Sequence, residues 1–170
     1  MQKIAKFSKV SSQRFVADYV DCFGCDKSVA QKVYEDIKLP QRATTGSAGY
    51  DFYSTVEITL KAGQGAKIPT GIRAEIADGW LLAVFPRSGL GFKYRLQLDN
   101  TVGIIDSDYF YSDNEGHIFI KITNDSKQDK VVSLNEGMAF AQGIFLPFGV
   151  TVDDDVSATR NGGFGSTDKK

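Results

Sequence analysis

From residue 46 onward, short apolar runs alternate with Gly, Pro, Asn and Asp punctuation. The runs are GYDFYS (49–54), VEITL (56–60), AKIPTGIRAEI (66–76), WLLAVF (80–85), LQLDNTVGII (96–105), GHIFIKITN (116–124), KVVSL (130–134) and MAFAQGIFLPF (138–148). In GHIFIKI, Ile118, Ile120 and Ile122 alternate with His117, Phe119 and Lys121, which is the period of a strand. Many short strands separated by turn signals predict an all-β fold, a sandwich, jelly roll or barrel.

Residues 11–38 follow a different period. SSQRFVADYV puts Phe15, Val16, Tyr19 and Val20 on one helical face, and SVAQKVYEDI does the same with Val29, Val33 and Ile37. Ser28 and Gln31 have the spacing of a capping box, and Gly24 is placed to end the first helix. The pattern predicts a two-helix hairpin set before the β-rich part. At the other end, residues 153–170 are glycine-rich without apolar periodicity, and predict a flexible arm. Arg160, Phe164, Ser166 and Thr167 give that arm a guanidinium, an aromatic ring and two hydroxyls, a set suited to phosphate oxygens.

Length and charge narrow the function classes. A chain of 170 residues has room for one domain, 1–170, with a real core. The formal net charge of −1 supplies no global field for nucleic acid or an anionic membrane. Residues 11–38 carry Arg14, Lys27, Lys32 and Lys38 against Asp18, Asp21, Asp26, Glu35 and Asp36, a poor helix pair for DNA phosphates. No stretch approaches the ~20 apolar residues of a membrane span. The start, MQKIAKFSKV, lacks a signal-peptide core, so the expected compartment is the cytoplasm.

Cys22 and Cys25 form CFGC, but the single histidine, His117, is remote in sequence and no βαβ pattern follows. Inert thiols in a turn are expected there, with redox chemistry or a metal shared between subunits as the alternatives. His117 is expected to pack or hydrogen-bond along its strand, which argues against a Ser-His hydrolase. There is no Walker A spacing, and bulky aromatics in DSDYFYSDNE stand where a calcium loop needs a glycine.

Two stretches carry more chemistry. FPRSGLG (85–91) ends an apolar run with a turn that gathers amides, a hydroxyl and a cation. In VGIIDSDY (102–109), an apolar approach runs directly into Asp106 and Asp108, so the reading is either a plain polar loop or a positioned base.

Taken in order, SAGYDFYS (47–54), PRSGLG (86–91), NTVGIIDSDY (100–109), GMAFAQ (137–142) and RNGGFGST (160–167) resemble the five motifs of the trimeric dUTPase family over about residues 38–168. The resemblance implies a dUTPase-like β-barrel or jelly roll, with the helical hairpin 11–38 outside the shared part. It implies a homotrimer whose sites take motifs from all three subunits. The implied reaction is hydrolysis of dUTP to dUMP and pyrophosphate, with magnesium carried mainly by the substrate phosphates and water. In that scheme Asp106 activates the water, Arg87 lies close by and holds it charged, and Asp51 supports the metal-bound water. Ser88, Gly89 and Gln142 meet phosphate, Asn100 and the backbone near Gly103 read uracil, and Tyr109 packs on deoxyribose. Arg160 meets the terminal phosphate, Phe164 covers the base, and Gly165, Ser166 and Thr167 hold phosphate oxygens.

The chain also departs from the family pattern. FYSDNE lengthens the loop after Tyr109, Met138 stands where an aspartate is common, one residue separates Arg160 from Gly162, and Asp168 replaces a glycine. Two other readings remain open from sequence: a dCTP deaminase on the same scaffold, and a protein-binding role through 11–38 or 110–115.

Overall fold

The computed structural model describes residues 1–158 and 160. The expected calls on Phe164, Gly165, Ser166 and Thr167 lie outside the described residues. The described residues form a β-rich unit with jelly-roll-like sheets and no closed barrel. A five-stranded sheet runs in the order β2 (Gln41–Arg42), β3 (Tyr50–Tyr53), β12 (Ala139–Pro147), β7 (Trp80–Pro86), β9 (Gly103–Ile105). Opposite it, β10 (Phe119–Asn124) pairs with β5 (Gly65–Pro69) and β8 (Leu96–Leu98). Two smaller pairs complete the set, β1 (Ala5–Lys9) with β6 (Ile72–Ile76) and β4 (Ile58–Leu60) with β11 (Val132–Leu134).

The alternation in β10 does what the period requires. Ile118, Ile120 and Ile122 are all buried against Phe52, Phe140, Leu82 and Leu134, while Lys121 faces out. The run 66–76 is two strands, because Thr70 and Gly71 break it and Thr70 Oγ1 donates to the Ile118 carbonyl at 2.6 Å. The run 96–105 is likewise split, with Thr101 in the left-handed region at φ 66°. FPRSGLG is not a simple turn: β7 continues to Pro86 and a short helix, α3 (Ser88–Tyr94), follows with Leu90 as its buried anchor.

The hairpin forms as α1 (Ser12–Phe23) and α2 (Lys27–Asp36), with Gly24 ending α1 in the left-handed conformation. Its apolar residues make a small core of Val10, Phe15, Tyr19, Ala30 and Val33. Val29, expected inside, is exposed, and Ala30 takes its place. The Ser28–Gln31 capping box does not form either. Asp26 is the N-cap of α2, and Gln31 instead accepts a hydrogen bond from Ser12 Oγ at 2.6 Å.

Among the contacts that bind this hairpin to the sheets, three stand out. Ile37 packs against both cores. Tyr19 donates its hydroxyl to the Thr55 carbonyl at 3.1 Å. The third is polar and fully buried: His117 Nε2 accepts the Gly71 N–H at 2.8 Å, so Nδ1 carries the proton and donates to Asp18 Oδ2 at 2.6 Å. Arg14 pairs with the same carboxylate, its Nε 2.9 Å from Oδ2. Burial depresses the His117 pKa below 6.5 despite Asp18 beside it. For Asp18, burial opposes ionisation, but the bonds from His117 and Arg14 outweigh it and lower the pKa below 3.8.

Both shifts have the same consequence for stability. The neutral histidine contributes fully above pH 6.5 and its contribution is lost as pH falls through the depressed folded value. The Asp18 contribution is lost only further down, below 3.8. We expect the single histidine resonance to titrate below 6.5 in NMR, with the thermal midpoint falling over the same window. A histidine that titrates at or above 6.5 contradicts the buried neutral pair.

Gly71 sits where the hairpin docks, at φ +72°, and a Cβ there would meet the Ile37 and Phe15 side chains. Gly79 has a similar φ of +78° but open space around it. Gly79→Ala should therefore cost about 1–2 kcal/mol, the penalty of the left-handed conformation alone. Gly71→Ala should cost roughly 1–3 kcal/mol more, by urea unfolding, because the side chains of the hairpin must also move.

Candidate active site

The five-stranded sheet brings together residues far apart in sequence. Asp51 on β3, Gln142 on β12 and Phe85 on β7 lie in one row across the strands. Asp51 Oδ1 is 3.2 Å from Arg87 Nε, and Gln142 Nε2 donates to the Pro86 carbonyl at 3.3 Å. Gly49 leaves room for Gln142, since a Cβ there would stand 2.6 Å from its Oε1. Arg87, Ser88 and Gly89 are exposed at the junction of β7 and α3. This end of the sheet offers a carboxylate, a guanidinium, an amide and a hydroxyl around one open surface.

A second grouping lies at the other end of β7. Strand β9 runs antiparallel to it, with Gly103 opposite Val84 and Ile105 opposite Leu82. Asp106 follows Ile105 and caps a 3₁₀ turn, Ser107–Tyr111. The side chains of Asp106 and Asp108 are half exposed, and Arg160 pairs with both, Nη2 to Asp106 at 2.5 Å and Nε to Asp108 at 2.9 Å. Within this chain, then, Arg87 does not lie beside Asp106. Five residue steps along β7 separate Leu82 from Arg87, roughly 17 Å at the usual strand rise. The cation at Asp106 is Arg160.

Tyr109 completes this grouping. It is buried, with the Arg160 guanidinium carbon 5.9 Å from its ring centroid. Its hydroxyl donates to the His117 carbonyl at 2.7 Å and accepts from Asn114 Nδ2 at 2.8 Å. Burial pushes the phenol's pKa up, which keeps it protonated.

Against β9 lies a cleft of about 320 Å³ that takes in Asn100 and Gly103. Its walls include Val84, Leu98, Ile118 and Phe119, an apolar slot of the size of a base and sugar. A Cβ on Gly103 would come within 3.3 Å of Val84 and 3.7 Å of Asn100 Nδ2, so the glycine keeps the slot open beside that amide. At its lip, Lys121 Nζ stands 2.7 Å from Asp99 Oδ2, and the bond from Lys121 lowers the Asp99 pKa.

For a metal, the donors in reach are few. Asp51 is engaged by Arg87, and among the described residues no group of three or more His, Cys, Asp or Glu side chains is arranged to hold an ion. The Asp51 carboxylate is a hard oxygen donor, the kind suited to a hard cation that keeps much of its water. Cys22 and Cys25 are unbonded and half-buried, and burial pushes the Cys22 thiol up, which makes it a poor nucleophile.

Sequence reasoning missed Asn114 and Asp18, which bond Tyr109 and His117, and Glu115, which bonds Ser11. Their partners lie up to 104 residues away, and no local pattern marks such pairs. The one available signal was that FYSDNE is extra chain next to Tyr109.

The chain matches the dUTPase family profile over residues 35–168. It is 40% identical over 134 residues to the deoxyuridine 5'-triphosphate nucleotidohydrolase of Lactococcus lactis, covering 77% of this chain and 88% of that one. Among solved structures, the dUTPase of Streptococcus mutans superposes with a TM-score of 0.62 at 33% identity, over 85% of this chain and 97% of the other. The dUTPase of Staphylococcus aureus phage phi11, described with a species-specific insert, shares the fold at 20% identity, with a TM-score of 0.63 over 92% of this chain and 97% of that one. No helix among the described residues is long and apolar enough to cross a membrane. The ordered motifs, the sheet that aligns them and these relatives agree: the chain belongs to the dUTPase family.

Proposed function

We propose that the chain hydrolyses dUTP to dUMP and pyrophosphate in the cytoplasm, at sites shared between the subunits of a homotrimer. The observation that carries the shared site is the length of β7. Asp51, Arg87, Ser88, Gly89 and Gln142 stand at one end, while Asp106, Tyr109 and Arg160 stand at the other. A triphosphate nucleotide in the Asn100–Gly103 slot of one subunit reaches Asp106 of that subunit. Its phosphates then meet the Arg87 end of the next.

In the reaction, the Asp106 carboxylate accepts a proton from water as the water oxygen attacks the α-phosphorus. The bond from that phosphorus to the bridging oxygen breaks, and pyrophosphate leaves. Asn100 and the backbone near Gly103 read the uracil edge, and the Tyr109 ring lies under the deoxyribose. Ser88, Gly89 and Gln142 bind phosphate oxygens, while Arg87 keeps Asp51 oriented. Arg160 leaves its two carboxylates for the terminal phosphate, and in the same arm Phe164 covers the base while Gly165, Ser166 and Thr167 hold phosphate oxygens. Closure of the arm excludes bulk water. Asp51 would orient the water of a substrate-borne magnesium ion, which when bound would offset the negative charge of the triphosphate. The product dUMP is the precursor for thymidylate synthesis, and the same step lowers dUTP. A protein partner has a candidate surface at Tyr111, the exposed aromatic of the 110–115 segment.

Pyrophosphate release measured over a panel of deoxynucleoside triphosphates should show dUTP as the preferred substrate. Ammonia from dCTP with no pyrophosphate from dUTP would establish the deaminase instead. Asp106→Asn should keep the trimer and dUTP binding while turnover falls about 10²–10⁴-fold. Near-normal turnover removes Asp106 as the base. Co-folded mixtures of Asp106→Asn and Arg87→Ala chains should recover about a quarter of the wild-type rate, since random mixing reunites intact halves at that frequency. No recovery over either variant alone would place the whole site within one subunit.

A further inference from the structure

The two segments outside the family pattern, 11–38 and 110–115, touch each other and close on Tyr109. We propose that they act together as a positioning device for the Tyr109 ring, so that Asn114, and Asp18 acting through His117, set how strictly the enzyme rejects a ribose 2′-hydroxyl. This rests on the reading above that Tyr109 lies against the sugar.

The Tyr109 hydroxyl is held from two sides, donating to the His117 carbonyl at 2.7 Å and accepting from Asn114 Nδ2 at 2.8 Å. A buried phenol held this way does not tilt without losing both bonds. Asn114 is itself fixed, because its Oδ1 accepts from Ser112 Oγ at 2.8 Å and from the Gly116 N–H at 3.1 Å. Gly116 allows the loop to close so tightly: at φ +70°, a Cβ there would lie 2.8 Å from the Phe110 Cα and the Tyr109 carbonyl oxygen.

The loop is then tied to the hairpin. Glu115, at φ +60°, accepts the Ser11 N–H and the Ser11 hydroxyl, each at 2.7 Å. Ser11 is the N-cap of α1, so this carboxylate stands at a helix start, and those two bonds lower its pKa despite partial burial. About two turns further along α1, Asp18 holds His117 Nδ1 while Gly71 holds Nε2. With both ring nitrogens committed, the His117 backbone has little freedom. Its carbonyl is the acceptor on which the Tyr109 hydroxyl depends. From the sheet side, Arg73 donates to the Phe110 carbonyl at 2.6 Å and lies 3.6 Å over the Phe110 ring.

A purely structural role predicts that loosening these bonds lowers stability and leaves selectivity alone. The positioning role predicts a change in the ratio of kcat/KM for dUTP over UTP. Asn114→Asp keeps the acceptor oxygen and removes the donor to Tyr109. Asn114→Ala removes both, and Asp18→Ala removes the His117 partner. Each should lower the dUTP/UTP ratio about tenfold, the effect of one buried hydrogen bond, mainly through KM, with kcat for dUTP within threefold of the unsubstituted chain. Val29→Ser, on the exposed side of the hairpin, should leave the ratio unchanged. Should Asp18→Ala fail to fold, the Asn114→Asp comparison decides alone. A folded trimer of Asn114→Asp with the ratio of the unsubstituted chain overturns the proposal. An unsubstituted chain that takes UTP as readily as dUTP overturns the sugar-side reading of Tyr109 and the proposal with it.

Discussion

Because β9 pairs antiparallel with β7, the chain carries Asp106 away from Arg87 with every residue of the strand. Side chains on one sheet edge cannot bridge roughly 17 Å, and the backbone hydrogen bonds hold both ends rigidly. Two half-sites on one subunit are the direct result, each with groups suited to a different part of a nucleotide. The slot at Asn100 and Gly103 lies against the same two strands, beside the Asp106 half. Under the proposed reaction, association becomes part of the chemistry, since neither half alone would supply both the Asp106 carboxylate and the Arg87 end of the sheet.

The buried Asp18–His117 pair shows how an added helical hairpin can be joined to a sheet without a large apolar interface. A carboxylate taken out of water is costly unless each lone pair finds a donor. Asp18 meets this with Arg14 from its own helix and the His117 ring from the sheet. Arg14 is partly exposed and keeps the cluster near water. The neutral imidazole avoids a second buried charge and spends its other nitrogen on Gly71.

What was legible in the sequence was whatever has a local period or a local turn. The Ile118–Ile120–Ile122 alternation located a core strand, and Gly24 located the end of a helix. The clustered motifs located Asp51, Gln142 and Asp106 on the strands and strand ends where the sheet aligns them. Strand β1 went unseen because AKFSK has too few apolar residues to mark a period, and its pairing with β6 supplies the missing order. Helix α3 was hidden by two glycines, which disfavour a helix locally, while burial of Leu90 overrides them. Arg160 against Asp106, and Glu115 against Ser11, were beyond reach for a simpler reason: a pair 54 or 104 residues apart leaves no trace in either neighbourhood.

Arg160 connects these strands of reasoning. Asp106 and Asp108 place two half-exposed carboxylates around Ser107, and their repulsion needs a cation nearby. Arg160 meets that need and rests near the Tyr109 ring. A triphosphate offers a stronger and bidentate anion to the same guanidinium. In the proposed reaction, movement of Arg160 onto phosphate would free Asp106 to take a proton at the moment a substrate arrives. The carboxylate that would act as base in that reaction is thus paired with Arg160 until a phosphate displaces it.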